Sequence, residues 1–264
     1  MKRKYMIIVL MAGALELTGC SQGTSNSAKN GTTGSENTII SESDIAILDT
    51  EDMFTERDRD TEYDESECTA ISLSDEETKC DSDGVKMDGQ TVTITEGGTY
   101  LLTGSLSNGS VVVDTDKTEK VQLILENVSI INEEGAGICV EQADKVFITL
   151  ADGSTNKIVS NSFTGNEDTN IDGAIFSRED LTLNGSGTLK ITSAAHGIVS
   201  KDDLVLTGGV YQIQSEKQGL SGKESVRIAD ETFTITSGTD AIHSEDTDED
   251  TKGFVYITGG VLTL

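Results

Sequence analysis

Ala174-Ile175-Phe176-Ser177, Gly197-Ile198-Val199-Ser200, Gly219-Leu220-Ser221-Gly222 and Ala241-Ile242-His243-Ser244 follow one another at intervals of 22 or 23 residues. Laid over one another, they bring five apolar columns into line: Ile175/Ile198/Leu220/Ile242, Leu181/Leu204/Val226/Val255, Leu183/Leu206/Ile228/Ile257, Leu189/Tyr211/Phe233/Leu262 and Ile191/Ile213/Ile235/Leu264. A hydroxyl column, Ser193/Ser215/Ser237, follows. Within each repeat the apolar residues come as i, i+2 pairs, the period of a strand. Glycines interrupt them at Gly185/Gly187, Gly208-Gly209 and Gly259-Gly260. Three short strands and three turns per repeat predict an all-β fold, a right-handed parallel β-helix of about 22 residues per coil. Successive coils would lie about 4.8 Å apart, so each column becomes a stack of like side chains in the interior.

The repeat extends outward in both directions. A less regular coil precedes it, through Gly137-Ile138-Cys139-Val140, Val146-Phe147-Ile148-Thr149-Leu150 and Ile158-Val159. Residues 161–170 swell that coil, and residues 245–252 interrupt the last one. The final residue, Leu264, falls on an inward column with no polar cap behind it, so the β-helix is expected to be C-terminally incomplete. Farther upstream, alternation begins at Ala70-Ile71-Ser72-Leu73 and is firm by Thr91-Val92-Thr93-Ile94-Thr95. Residues 54–264 are therefore expected to form the β-helix domain, with 54–110 as its N-terminal β or cap region. The start of the stretch 42–83, with seventeen Asp or Glu against three Lys or Arg, reads as irregular acidic surface.

Composition agrees with a β-fold. Aromatics are 4% of the 264 residues, Pro and Trp are absent, and there are 27 Gly. The formal net charge of −28 argues against nucleic acid, which needs clustered Lys and Arg. Lys2, Arg3 and Lys4 precede an apolar run over residues 6–15, the layout of a secretory signal. The run closes on Leu17-Thr18-Gly19-Cys20, which resembles the bacterial lipobox. Residues 1–20 are thus expected to be a lipoprotein signal peptide with lipid on Cys20, and 21–53 a flexible polar and acidic linker. The protein would be exported and held on the outer side of the bacterial cell membrane by its lipid alone. Export permits a disulfide between Cys68 and Cys80, while Cys139 reads as a small buried filler.

Asp172-Gly173-Ala174-Ile175-Phe176-Ser177-Arg178-Glu179-Asp180-Leu181-Thr182-Leu183-Asn184-Gly185-Ser186-Gly187, Gly197-Ile198-Val199-Ser200-Lys201-Asp202-Asp203-Leu204 and Gly253-Phe254-Val255-Tyr256-Ile257-Thr258-Gly259-Gly260 resemble the bacterial carbohydrate-binding domain-containing β-helix family. The resemblance covers roughly residues 54–264. It implies a fold similar to pectate lyases, binding of an acidic polysaccharide of the polygalacturonate (pectic) type, and Ca²⁺, without established catalysis. Coils of that family open with Asp-Gly-Ile. Here Asp172 and Asp240 keep the acid, whereas His196 and Gln218 replace it in the two middle coils.

Three constellations carry candidate chemistry. In register, one turn stacks a basic column, Arg178, Lys201 and Lys223, beside acidic columns, Glu179/Asp202/Glu224 and Asp180/Asp203. Like charges at strand spacing repel, and two arrangements relieve them: a salt ladder with the basic column, or a hard cation that takes carboxylate oxygens. The basic column would also meet the carboxylates of an acidic glycan. The second constellation is Asp246, Asp248 and Asp250 in the insertion of the last coil, alternating as in calcium loops but lacking the Gly and bidentate Glu of an EF-hand. The third is Asn166-Glu167-Asp168 with Asn170 and Asp172. The two histidines, His196 and His243, show no nucleophile and orienting acid at motif spacing. The expectation is a monomeric, non-catalytic module for acidic polysaccharide with Ca²⁺. A calcium-dependent pectate or uronate lyase and a structural or adhesive surface protein are the alternatives.

Overall fold

The computed structural model describes residues 7–9, 52–163, 170–229 and 231–264. The protein is all-β apart from one helical turn, with two sheets of almost wholly parallel strands. The eight-stranded sheet runs Ile242–Ser244, Leu220–Gly222, His196–Ser200, Gly173–Ser177, Ile138–Gln142, Ser110–Asp114, Thr91–Ile94, Val85–Asp88. The fourteen-stranded sheet is curled like half of a barrel. Its middle strand, Lys120–Asn132, pairs over Lys120 to Leu125 with Lys145–Leu150 and over Ser129 to Asn132 with Thr155–Ser160. The sheet therefore has two limbs that share bent strands, this one and its neighbour Gly98–Leu106, whose register shifts between Thr103 and Ser105. At the bend Asn127 takes φ 56°, and its side-chain oxygen accepts the amide of Thr155 at 3.0 Å.

The apolar columns stand in register. Ile175 pairs with Ile198, Ile198 with Leu220 and Leu220 with Ile242. Leu204 lies between Leu181 and Val226, and Ile213 between Ile191 and Ile235. Nearly all of these side chains are buried in one continuous core, and Tyr211 stacks on Phe233 with ring centroids 4.8 Å apart. Each column buries its members only because its neighbours are present, at roughly 25 cal/mol per Å² of apolar surface. Glycine is required where the strands turn. Gly185 has φ 98°, and a Cβ there would run into the carbonyl of Leu150.

Parallel pairing starts where the alternation begins, since Thr69–Leu73 pairs with Tyr100 to Gly104. The one antiparallel strand pair among the described residues is Val85–Asp88 with Thr91–Ile94. At the far end, Ile7–Val9 pairs in parallel with Val255 to Ile257.

Residues 53–60 are ordered rather than irregular acidic surface. Thr55 caps the helical turn Glu56–Arg59, and Asp58 returns the bond to the Thr55 amide at 2.9 Å. This strap lies against the outward side of the first limb. Asp58 is 1% exposed and pairs with Lys145 at 2.8 Å and with the hydroxyl of Thr182 at 2.7 Å. Its carbonyl accepts from Asn184 and Thr207, and the guanidinium of Arg57 sits 4.5 Å from the ring centre of Phe147. The acids that the sequence suggested were solvated here include one that fastens the strap.

The disulfide that export would permit is not formed: Cys68 and Cys80 are unbridged. Ser72 faces Lys79 in an antiparallel bridge, so Cys80 falls opposite Ile71 rather than Cys68. Cys68 is three residues away, about 10 Å along an extended strand and beyond the reach of a disulfide. The Cys68 thiol donates to the carbonyl of Asp64 at 3.2 Å instead. Cys139 is buried, as a filler should be, packed with Ala136, Phe176 and Val199. Cys20, the expected signal apart from residues 7–9 and most of the linker lie outside the described residues, as do residues 166–168 of the third constellation.

Candidate functional site: a charged groove over the eight-stranded sheet

The outward positions of the eight-stranded sheet form a column in which Phe176, Val199, Ser221 and His243 are successive partners. The following turns place Arg178, Lys201 and Lys223 above one another, because each amide bonds to a carbonyl of the coil before: Arg178 to Val140, Lys201 to Ser177 and Lys223 to Ser200. Between this turn and the start of the strands lies a groove of about 290 Å³. Its floor is the column Val199, Ser221 and His243, Lys201 and Lys223 line the side toward the turn, His196 and Gln218 stand at the strand starts, and Asp172 and Glu245 complete the lining.

Each of these basic groups lies beside an acid, and His196 and Lys201 share Asp172. His196 has Nε2 3.3 Å from Asp172, and its Nδ1 accepts the Gln218 amide at 3.2 Å, which assigns the proton to Nε2 in the neutral ring. Burial opposes ionisation of Asp172, but the bond from His196 and the charge of Lys201 outweigh it, and the carboxyl is held below its usual range. Lys201 lies 3.7 Å from Asp172. Lys223 lies 3.7 Å from Asp246 and 3.6 Å from Asp248. These lysine contacts are longer than a direct hydrogen bond, so the ammonium groups keep donors for a ligand. Arg178 is tied more closely, with Nε 2.6 Å from Glu141, and stands over Phe176 as Lys201 does. His243 is flanked by Asp240 at 3.5 Å and Glu245 at 3.8 Å.

The acidic columns do not neutralise the adjacent basic column, because neighbouring positions of the turn project to different sides. Asp203 instead receives Arg227 and, at 2.6 Å, the hydroxyl of Ser225. Glu224 pairs with Lys252. Asp180 accepts the Asp203 amide at 3.2 Å. Glu179 contributes its carbonyl, which accepts from Ser177 and Ser200. Asp202 is left among carboxylates: burial, then Asp180 and Glu224, push it up to about 7. In the insertion, Asp246 turns onto its own loop and accepts the amides of Asp248 and Glu249 at 2.7 and 3.0 Å, while Asp250 is exposed. Among the described residues no three His, Cys, Asp or Glu side chains converge on one cation-sized point.

The sequence reading passed over the histidines because their acids are not at motif spacing. Asp172 reaches His196 from the preceding coil, and Gln218 comes from the following one. The 22-residue register was the available signal, since it sets residues of neighbouring coils side by side.

Fold and groove together describe an all-β protein that presents a polar, charge-lined trough on a curled parallel scaffold. A protein of this kind is known from C. thermocellum. The gadolinium-derivative structure of its polysaccharide lyase-like protein superposes with a TM-score of 0.70 at 34% identity, over 74% of this chain and 81% of that one. A carbohydrate-binding domain-containing protein of Acetivibrio thermocellus is 34% identical over 186 residues, 69% of this chain and 65% of the relative. The chain thus spans just under two thirds of that relative's length. The profile of the family described as carbohydrate-binding domain-containing protein matches residues 88–264. The chain belongs to this carbohydrate-binding domain-containing family.

Proposed function

We propose that this protein binds an acidic polysaccharide of the pectic type along the groove, with Ca²⁺ shared between protein and glycan carboxylates. The scaffold in this reading is a right-handed parallel β-helix over residues 54–264, exported and held at the cell surface by lipid on Cys20 through the 21–53 linker. The observation that carries it is the pair of loosely held ammonium groups, Lys201 and Lys223, at successive coils of a chain whose net charge is −28. In so acidic a protein a cationic row facing an open groove favours an anionic ligand laid across the coils. His196, His243 and Ser221 add donors for sugar hydroxyls.

The fit to Ca²⁺ is partial. Asp202 lies in a crowded carboxylate set with Asp180 and Glu224, of which Glu224 is paired with Lys252, and burial with the neighbouring carboxylates raises Asp202. A calcium ion takes six to eight oxygens, so the glycan and water would complete the shell. Asp203, Asp246 and Asp248 already serve the loops or other cations, and with Glu179 and Asp250 they are assigned supporting places at its edge.

Affinity electrophoresis and calorimetry against polygalacturonate, with and without chelator, test this reading. Wild-type protein should be retarded, and chelator should weaken binding. Lys201→Ala with Lys223→Ala should weaken it about tenfold, the scale of one or two charge-assisted bonds. Unretarded wild-type protein on every acidic glycan would overturn the proposal. Accumulation of unsaturated uronides would replace it with the lyase reading, which the name of the C. thermocellum relative favours.

A further inference from the structure

The second limb of the curled sheet carries a surface unlike the rest of the protein. Thr155–Ser160, Thr188–Ser193, Val210–Ser215 and Thr232–Ser237 alternate strictly between buried and outward residues. Their outward positions line up across the coils as Lys157, Lys190, Gln212 and Thr234, with Thr192, Gln214 and Thr236 beside them. The chain has 47 Asp and Glu, yet no outward position of these four strands is acidic. Lys157 and Lys190 are direct partners in neighbouring parallel strands, about 4.8 Å apart at the backbone, where like charges oppose each other. Among the described residues neither has an ion pair, and both are exposed. A shallow trough of about 380 Å³ runs across these rows. Every residue that lines it comes from these strands, in contrast to the first limb, where residues 53–60 are fastened down by Asp58.

We propose that this face is a second glycan-binding surface, separate from the groove, which takes a uronate-bearing chain with its carboxylate on Lys157 and Lys190 and its hydroxyls on the Gln and Thr rows. The proposal rests on the acidic-polysaccharide reading and assigns it a second point of contact. Charge complementarity selects the occupant: two unneutralised ammonium groups in a strongly acidic protein, followed by amides and hydroxyls that both donate and accept. Rows about 4.8 Å apart, and positions about 6.7 Å apart along each strand, offer a lattice of polar groups on the scale of sugar units. A protein partner would instead find little apolar area to bury on this face. Two surfaces on one rigid body would let a long chain be held at two points, which raises avidity without any new contact.

The test uses the full chain in calorimetric titration with oligogalacturonides and with polygalacturonate. Lys157→Gln with Lys190→Gln should lower polymer affinity about tenfold and flatten its salt dependence, while Lys201→Ala with Lys223→Ala leaves the residual site intact. Gln212→Ala with Gln214→Ala should weaken binding with little effect on salt dependence. These side chains point away from the core, so circular dichroism should match wild type. Wild-type binding that is insensitive to both second-limb variants would overturn the second surface and leave the groove reading standing. Failure of the wild type to bind any uronate would remove both.

Discussion

Asp202 is the side chain in which the charge of this protein has its largest local consequence. Its pKa is pushed up to about 7 by burial, Asp180 and Glu224, against about 3.9 in an unfolded chain. Between those two values the folded state keeps a proton that the unfolded state has lost. This contribution to stability is therefore complete below pH 4 and is lost as pH rises to about 7. The group is partly solvated, which reduces the effect to the order of 1 kcal/mol. Asp202→Asn should consequently raise the melting temperature at pH 8 and leave it unchanged at pH 3.5. Equal shifts at both values would show that the carboxylates do not interact. If Ca²⁺ sits here, adding it at pH 8 should stabilise wild type and not the variant. Individual acids were legible in the sequence as a column, but their pairings were not. Which side of a turn a carboxylate takes depends on backbone torsions that the repeat does not encode. Lys252 and Arg227, which neutralise Glu224 and Asp203, come from a later coil and from the following strand.

Among the elements, the strap over residues 53–60 departs most from what its residues advertise. An acidic run is usually a solvated surface, and nothing in the local pattern marks Asp58 out from Asp60. The distinction is made by Lys145, Thr182 and Asn184, more than eighty residues away in sequence. Burial opposes ionisation of Asp58, but the bonds from Lys145 and Thr182 outweigh it and bring its pKa down to about 2. The strap is thus fully fastened above about pH 4 and loosens as pH falls through 2. Asp58→Ala would leave Lys145 without its partner in a largely buried place, at a cost of about 3 kcal/mol. Chemical denaturation should register that loss, together with faster tryptic cleavage at Arg57 and Arg59. A variant as stable and as resistant as wild type would mean that the strap adheres by other contacts. The same dependence on partners explains Cys68 and Cys80: their separation in sequence suits a loop, but the strand register sets them apart.

At the scale of the whole molecule, the columns were the legible part. Ile198, Leu220 and Ile242 are consecutive partners, as a 22-residue repeat demands, because stacked strands at fixed spacing leave no other arrangement for like residues. The curl of the larger sheet about Lys120–Asn132 was not legible. That strand carries apolar residues along most of its length, and only Asn127 marks the corner. Stability along such a stack is shared between neighbours. Leu204→Ala, fully buried in the middle of its column, should cost about 2–5 kcal/mol, whereas Ile257→Ala, at a partly buried position, should cost appreciably less. Equal losses in equilibrium denaturation would argue for a single cooperative core instead.

The corner that follows Ser244 shows what this construction permits. Ser225 and Phe254 remain partners although 29 residues separate them where the neighbouring coil uses 22, so the additional chain leaves the stack and returns without disturbing it. Length at a corner is decoupled from the pitch of the scaffold. Variation can therefore remodel the lips of the trough while selection on foldability acts on a different set of residues. If the trough binds glycan as proposed, grafting a relative's corner between Ser244 and Gly253 is the corresponding engineering route to altered preference.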